Sequence, residues 1–365
     1  MGHLPGLATV REVALIASDA SSDLFAPWQD VFNTASGNAS TLFNAFSFDN
    51  GVGWQQLIAN LSGYAQQIID DPANITQVTD ELRESWKAVD SAITLMNANP
   101  DTVASIIRQT MDGTPAFGHI LMFGEIPGYL PADQAASITP IINFLGSPMS
   151  AIVMGALGPG ISPWVALLNS ITDGDGLNQT LANMTGAFFN GATLDLSSLT
   201  PAINSLGLFP AGMAMTQLDI AFGGLLSPGG NVAAAPLNVV DADDNVIGQL
   251  PAIGGSIFNS VGLTFTGVPA INTLQLNSDP IGPLGAWLGL NQVIASQLGW
   301  GSNWDVIVGG PNVPAIPPGS DVVFPTLPGS DFFSDFFPAD GVGAGGAAAT
   351  DFASVLSDFF TGLGA

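Results

Sequence analysis

The sequence predicts a mainly α-helical protein with a small antiparallel β region, an α+β class, built from short helices interrupted by Pro and Gly and ending in a low-complexity C-terminal tail. Three observations carry this. Apolar residues recur at a helical period through much of the first 111 positions, period-two alternation is concentrated after residue 237, and beyond Gly310 the chain turns to Pro, Gly, Ala and repeated Asp-Phe blocks.

The first helical segment is WQQLIANLSGYAQQIID at 54–70, whose stripe runs through Trp54, Leu57, Ile58, Leu61, Tyr64, Ala65, Ile68 and Ile69. A second runs through Val78, Leu82, Trp86, Val89, Ile93 and Met96, with Thr76 and Thr79 as N-cap candidates. A third holds Val103, Ile106, Ile107 and Met111 behind Asp101. These three are expected to pack as one layer with the basic residues on its solvent side.

From Gln134 to Thr172 no charged residue occurs. Pro140, Pro148, Pro159 and Pro163 cut that stretch into pieces shorter than the roughly 20 apolar residues of a spanning helix, so short buried helices are expected, with lipid contact as the alternative. LNVVDADDNVIGQL (237–250) places two apolar runs around an acidic turn, and GLTFTG and INTLQL alternate as strands. GAWLGLNQVIASQLGW (285–300) returns to helical spacing with Trp287, Leu290, Val293, Ile294 and Leu298. A Pro-x-Ile-Asn-x-Leu core recurs from Pro140, Pro201 and Pro269 with differing flanks, which reads as a local packing device rather than a tandem repeat. The expected organisation is a helical region at 1–130, an apolar Gly/Ala/Pro-rich region of short helices and a small sheet at 131–309 packed with it, and a disordered tail at 310–365.

Charge excludes whole function classes. The chain has 30 acidic and four basic residues for a formal net charge of −26, and Arg11, Arg83, Lys87 and Arg108 are all the bases it has. Nucleic acid is excluded as a partner because phosphate neutralisation needs cations, and an anionic lipid surface would repel the chain, which leaves apolar contact as its route to a membrane. No cysteine occurs, so disulfides, thiol catalysis and Cys-based zinc sites are absent together. The start, MGHLPGLATV, lacks the basic region and apolar run of a signal peptide.

Catalytic parts are scarce. Of two histidines, His119 sits in the apolar run FGHILMFG and reads as a packed, hydrogen-bonded side chain, and no nucleophile elbow, phosphate loop or dinucleotide fingerprint is present. DADDN, Asp241 to Asn245, has the first oxygens of an EF-hand loop but Val246 where glycine is required; DGDG at 173–176 lacks a distal ligand. Both read as polar turns. The sequons at Asn38, Asn60, Asn74, Asn178 and Asn183 follow from an Asn- and Thr-rich composition. The expectation is a non-enzymatic chain with no catalytic, cofactor-binding or metal-ligating residues.

FAPWQDVFNTAS (25–36), GVGWQQLIAN (51–60), GSPMSAIVMGALGPGISPWVALLNSI (146–171), GLFPAGMAMTQLDIAFGGLLSPG (207–229), GGSIFNSVGLTFTGVP (254–269) and GPLGAWLGLNQVIASQLG (282–299) resemble the mycobacterial outer membrane porin family GjpA, over roughly residues 8–305. The resemblance implies a protein secreted to the cell envelope, at the outer membrane or cell surface, acting as a channel for small hydrophilic solutes. An acid-lined pore would favour cations. The residues leave two other readings open: a soluble or peripheral envelope protein that binds lipid or other wall proteins, and, less well supported, a hydrolase. Envelope lipids, wall proteins and further copies of the chain are the expected partners.

Overall fold

The computed structural model describes residues 7–49, 51–111, 118–124, 132–207, 209–230, 237–250, 253–268, 272–300 and 312–314. The chain is α+β as expected, helical first and then sheet-forming, with a central helix on which five other helices pack.

Helix α1 spans Leu7–Asp49 with Pro27 inside it, a length the sequence reading did not foresee. Amide side chains pin it to α8 (Leu177–Asn190): Trp28 Nε1 donates to Asn178 Oδ1 at 3.0 Å, Asn178 Nδ2 to the Leu24 carbonyl at 2.9 Å, and Asn38 Nδ2 to Asn190 Oδ1 at 3.2 Å. Gly51, at φ 78°, turns the chain into α2 (Val52–Asp70). The predicted α2 stripe is only partly used: Leu57, Leu61, Tyr64, Ile68 and Ile69 are half-buried while Trp54 and Ile58 face solvent, and the residues buried against the central helix are Val52 and Gly53, ahead of the stripe. Helix α3 (Ile75–Thr94) begins one residue before Thr76, so Thr76 and Thr79 lie inside it, and Thr79 Oγ1 donates to the Ile75 carbonyl instead of capping. Helix α4 (Pro100–Thr110) is capped by Asn99, whose Oδ1 accepts from the Thr102 N–H at 2.8 Å. Ala92, Leu95, Ile106, Ile107 and Met111 form one core with Phe258 and Val293. Arg83, Lys87 and Arg108 are exposed, as expected of that layer, and the Arg11 side chain lies outside the described residues.

After α5 (Gly118–Gly124), α6 (Ala132–Leu145) runs through Pro140. The next helix corrects the sequence reading most. Residues Pro148–Asp173 form a single helix, α7, that starts at Pro148 behind the Ser147 cap and continues through Pro159 and Pro163. Each internal proline removes one helical hydrogen bond at a cost of about 3 kcal/mol, and packing offsets it. Small residues let the backbone come close: a Cβ on Gly155 would lie 2.8 Å from the Gly282 carbonyl, and one on Gly158 only 2.3 Å from the Gly223 oxygen. Ser162 Oγ sits in the same crossing, 2.6 Å from the Gly158 carbonyl and 2.9 Å from that of Gly223. The buried side of α7 is therefore mostly small, with Ala151, Gly155, Gly158, Ser162, Ala166 and Ser170 beside the larger Met154 and Val165.

The sheet is β1 (Ala192–Asp195), β2 (Ala214–Phe222), β5 (Val261–Val268) and β6 (Asn272–Leu276), adjacent in the order β1-β2-β5-β6 and antiparallel throughout. Strand β2 was not anticipated, because Thr216, Gln217 and Asp219 interrupt its apolar alternation. Met215, Leu263, Phe265, Leu274 and Leu276 form its core face. Between β1 and β2 the second Pro-x-Ile-Asn copy makes the short helix α9 (Thr200–Ser205), and its Asn204 bonds the Met215 backbone in both directions, accepting at 2.9 Å and donating at 2.8 Å. The first copy lies in α6, and the third begins at Pro269, outside the described residues, and ends on β6.

Strands β3 (Leu237–Val240) and β4 (Val246–Leu250) form the expected hairpin, and β7 (Asn312–Pro314) pairs parallel to β3. Ordered pairing thus enters the stretch read as tail. Helix α10 (Pro283–Gln297) is the centre, touching α1, α2, α3, α4 and α7. It buries Leu288, Leu290, Val293 and Ala295 together with Asn291 and Gln292, while Trp287, expected in its apolar stripe, is largely exposed.

Candidate functional site

The outer side of α7 is the most unusual surface of the described residues. Its packed face is mostly small, and five large residues lie on the opposite face: Val153, Leu157, Trp164, Leu168 and Ile171 recur at i, i+4, i+11, i+15 and i+18, one narrow line along the helix. Trp164 is 64% and Ile171 67% exposed, far above the level expected of a core helix. The stripe is about 27 Å long at 1.5 Å per residue.

Neighbouring helices repeat the pattern. Helix α8, packed on α7, exposes Leu177, Leu181 and Phe188 at i, i+4 and i+11, and α1, packed on α8, exposes Phe25, Phe32 and Phe43 at i, i+7 and i+18. Across residues 24–48 of α1, all of α7 and all of α8 the only charged residues are Asp30 and Asp173, with Asp175 in the α7–α8 turn. In a chain of net charge −26, that is a layer from which charge is nearly excluded. Large apolar side chains exposed on three helices that pack one on the next are the composition expected of an interaction surface. No cation lies on these segments to hold an anionic headgroup.

The polar candidates are accounted for by structure. His119 is fully buried, with Nε2 2.7 Å from the Val261 carbonyl, which can only accept, so Nε2 carries a proton. Its ring stacks on Phe123, which stacks on Phe258. DADDN is an Asx turn: Asp241 Oδ1 accepts from the N–H groups of Asp243 at 2.9 Å and Asn245 at 3.0 Å. The Asn245 backbone N–H, then its side chain, hold the Asp241 carboxyl below its ordinary value. In DGDG, Gly174 at φ 75° ends α7 and Asp175 accepts from Asn183 Nδ2 at 2.9 Å. Among the described residues no group of three or more His, Asp or Glu side chains converges as a metal site would require.

Sequence reasoning missed one buried carboxylate. Asp219 is 6% exposed on β2, accepts from Ser278 Oγ and from Gln217 Nε2 at 2.8 Å, and presses on Gly262, where a Cβ would lie 2.3 Å from Oδ1. Its two donors come from the same sheet and its end, so it ties β2 to the chain after β6. A cavity of about 10 Å³ lies between Gln109, Thr110, Gly289 and Gln292, room for one water and no more.

No family model, curated protein or solved structure matches this chain. The α7 stripe was present in the sequence, but inside an uncharged run that Pro159 and Pro163 divide, where short helices buried on all sides were the simpler reading.

Proposed function

We propose that this is a cell-envelope protein that works at a lipid surface, with the outer stripe of α7, beside those of α8 and α1, as its lipid contact. The observation that carries this reading is the 27 Å line of five large exposed apolar side chains along one side of a helix whose opposite side is packed closely through Gly155, Gly158 and Ser162. The sequence resemblance to an outer-membrane porin family supports the envelope location. Half-exposed Leu, Ile and Trp side chains each gain about 1 kcal/mol on entering a hydrocarbon boundary, so the α7 stripe contributes about 5 kcal/mol before association costs. The contact is apolar, and its strength is expected to be insensitive to salt.

Flotation with vesicles of neutral phosphatidylcholine tests it. Wild-type protein is expected to float equally at low and high salt, and Leu157→Asp/Leu168→Asp, on the solvent side of a helix held from its other face, is expected to lower partition at least tenfold with an unchanged circular dichroism spectrum. Wild-type protein left at the bottom of the gradient overturns the proposal.

A specific observation favours a second reading, the channel. Helix α7, at 26 residues, is long and apolar enough to cross a bilayer, with a hydropathy of 1.7 over its best window. One such helix makes no pore alone, so this reading requires several copies. Conductance across a planar bilayer with a KCl gradient tests it: discrete, cation-selective steps support a pore, and silence beside a conducting control removes it.

A further inference from the structure

The outer line of α7 is matched to itself. Gly160, exposed and with nothing of its own chain within 4 Å of an added Cβ, stands in it at i+7, so the line reads Val153, Leu157, Gly160, Trp164, Leu168 and Ile171. Counted from Ser162, these six positions fall at −9, −5, −2, +2, +6 and +9. Turned end for end on a second copy, Val153 meets Ile171, Leu157 meets Leu168, and the bulk of Trp164 meets the space over Gly160, each contact made twice as a twofold interface requires. We propose that the protein forms a symmetric dimer in water through the outer face of α7, the two helices antiparallel about Ser162, with Trp164 of each copy over Gly160 of the other.

Charge fixes the direction. Asp173 and Asp175 follow the Ile171 end of the line, while no charged residue occurs from Gln134 to Thr172. Antiparallel pairing sets each acidic end against the uncharged Val153 end of the other copy and keeps the two Asp173 side chains about 33 Å apart along the axis, well beyond a screening length of about 8 Å. Parallel pairing would bring like carboxylates together.

The other exposed apolar lines lack this match. On α1 the line through Phe25, Phe32 and Phe43 is interrupted by exposed Gln29, Ser36 and Ser40. On α3, Trp86 stands among exposed Arg83, Glu84, Lys87 and Asp90, whose hydration a contact there would strip. The shorter α8 line of Leu177, Leu181 and Phe188 adjoins the site instead of rivalling it. Asn183 Nδ2 donates to Ser170 Oγ, which marks the sides by which α8 and α7 touch. Each line stands about 130° round its helix from that side in the same sense, and on two antiparallel helices this opens both on one face.

Size sets the strength. The five large side chains, two-fifths to two-thirds exposed, offer on the order of 500 Å² a copy, so two copies bury about 1,000 Å², the lower edge of a specific interface. The dimer is therefore weak and reversible, with a dissociation constant in the micromolar range. Pairing in water covers the surface that the lipid reading places on a bilayer; that consequence rests on the lipid reading, and the dimer itself does not.

The absence of cysteine makes the register testable. Full-length Leu157→Cys and Leu168→Cys proteins are mixed without lipid under mild oxidation, and covalent dimer is followed on non-reducing gels. Disulfide formation is expected to be at least tenfold faster in the mixture than in either variant alone, because like positions lie about 15–18 Å apart along the axis and a disulfide needs Cα atoms within about 7 Å. Equal rates overturn the proposal, and so does faster coupling in a single variant, the mark of a parallel pair. Sedimentation equilibrium tests the fit of Trp164 over Gly160. Wild-type mass is expected to rise from 37.3 kDa toward twice that value across the micromolar range, Gly160→Trp to weaken association at least tenfold, and Gly160→Trp/Trp164→Ala to restore it, with unchanged circular dichroism throughout. A wild-type monomer up to about 100 µM, Gly160→Trp dimers as tight as wild type, or a double variant no tighter than Gly160→Trp overturns it. Because no vesicle is present, failure here leaves the flotation result untouched, and failure to float leaves this dimer untouched.

Discussion

Replacing Gly158 by alanine tests the account of how α7 is held. A Cβ there would lie 2.3 Å from the Gly223 carbonyl oxygen, where ordinary contact begins near 3.4 Å, so about 1 Å of backbone must give way. It has nowhere to go: a Cβ on Gly223 would itself lie 2.0 Å from the Ile281 oxygen, which shows how closely the next segment is stacked behind it. Overpacking of this kind costs about 1–3 kcal/mol, against a helix-propensity gain of about 0.5–1 kcal/mol for Gly to Ala. The net expectation is a destabilisation of up to about 2.5 kcal/mol, centred on about 1. Gly160, two residues on, has nothing within 4 Å, so Gly160→Ala keeps only the propensity gain and is expected to stabilise by about 0.5–1 kcal/mol. Urea unfolding followed by far-UV circular dichroism measures both, and the midpoints are expected to move in opposite directions at constant slope. A Gly158→Ala protein as stable as Gly160→Ala would refute the close crossing of α7 on the Gly223 segment, and with it the packed face that leaves the stripe of the functional proposal outward.

Three further outcomes follow from the same geometry. Ser162→Ala removes the hydroxyl shared between the Gly158 and Gly223 carbonyls and is expected to cost about 1 kcal/mol in the same unfolding assay. Gly262→Ala, with a Cβ 2.3 Å from Asp219 Oδ1, is expected to destabilise by about 1–3 kcal/mol, and Gly262→Ala/Asp219→Ala to cost less than the sum of its parts, since the second change removes the atoms the first collides with. The Asp241 carboxyl is held below its ordinary value of 3.8 by the Asn245 N–H, so its turn contributes fully above that value and loosens as pH falls through the lower folded value; the Asp243 and Asn245 amide resonances are expected to move together in that acid range and not between pH 5 and 8.

The structure bears out the sequence reading wherever a local rule was enough. Helices α2 to α4 and α10, the β3–β4 hairpin and strands β5 and β6 follow from period and turn chemistry, and His119 is the packed, hydrogen-bonded side chain its apolar run implied. Strand β2 was not legible, because a bulge between Met215 and Gln217 and the inward Asp219 break the alternation that would announce it. Nor was the α7 stripe, for Pro159 and Pro163 are local stop signals.

What the sequence by itself determined is the class, from the helix-then-sheet order, and a charge balance of four cations against 30 acids that disfavours polyanionic partners. What only the tertiary structure decided is which side of the apolar run is free. Periodicity cannot distinguish inside from outside when every residue is apolar or small. The distinction came from backbone contacts far apart in sequence, Gly155 on Gly282 and Gly158 on Gly223, which admit only small side chains and so turn Leu157, Trp164, Leu168 and Ile171 toward solvent.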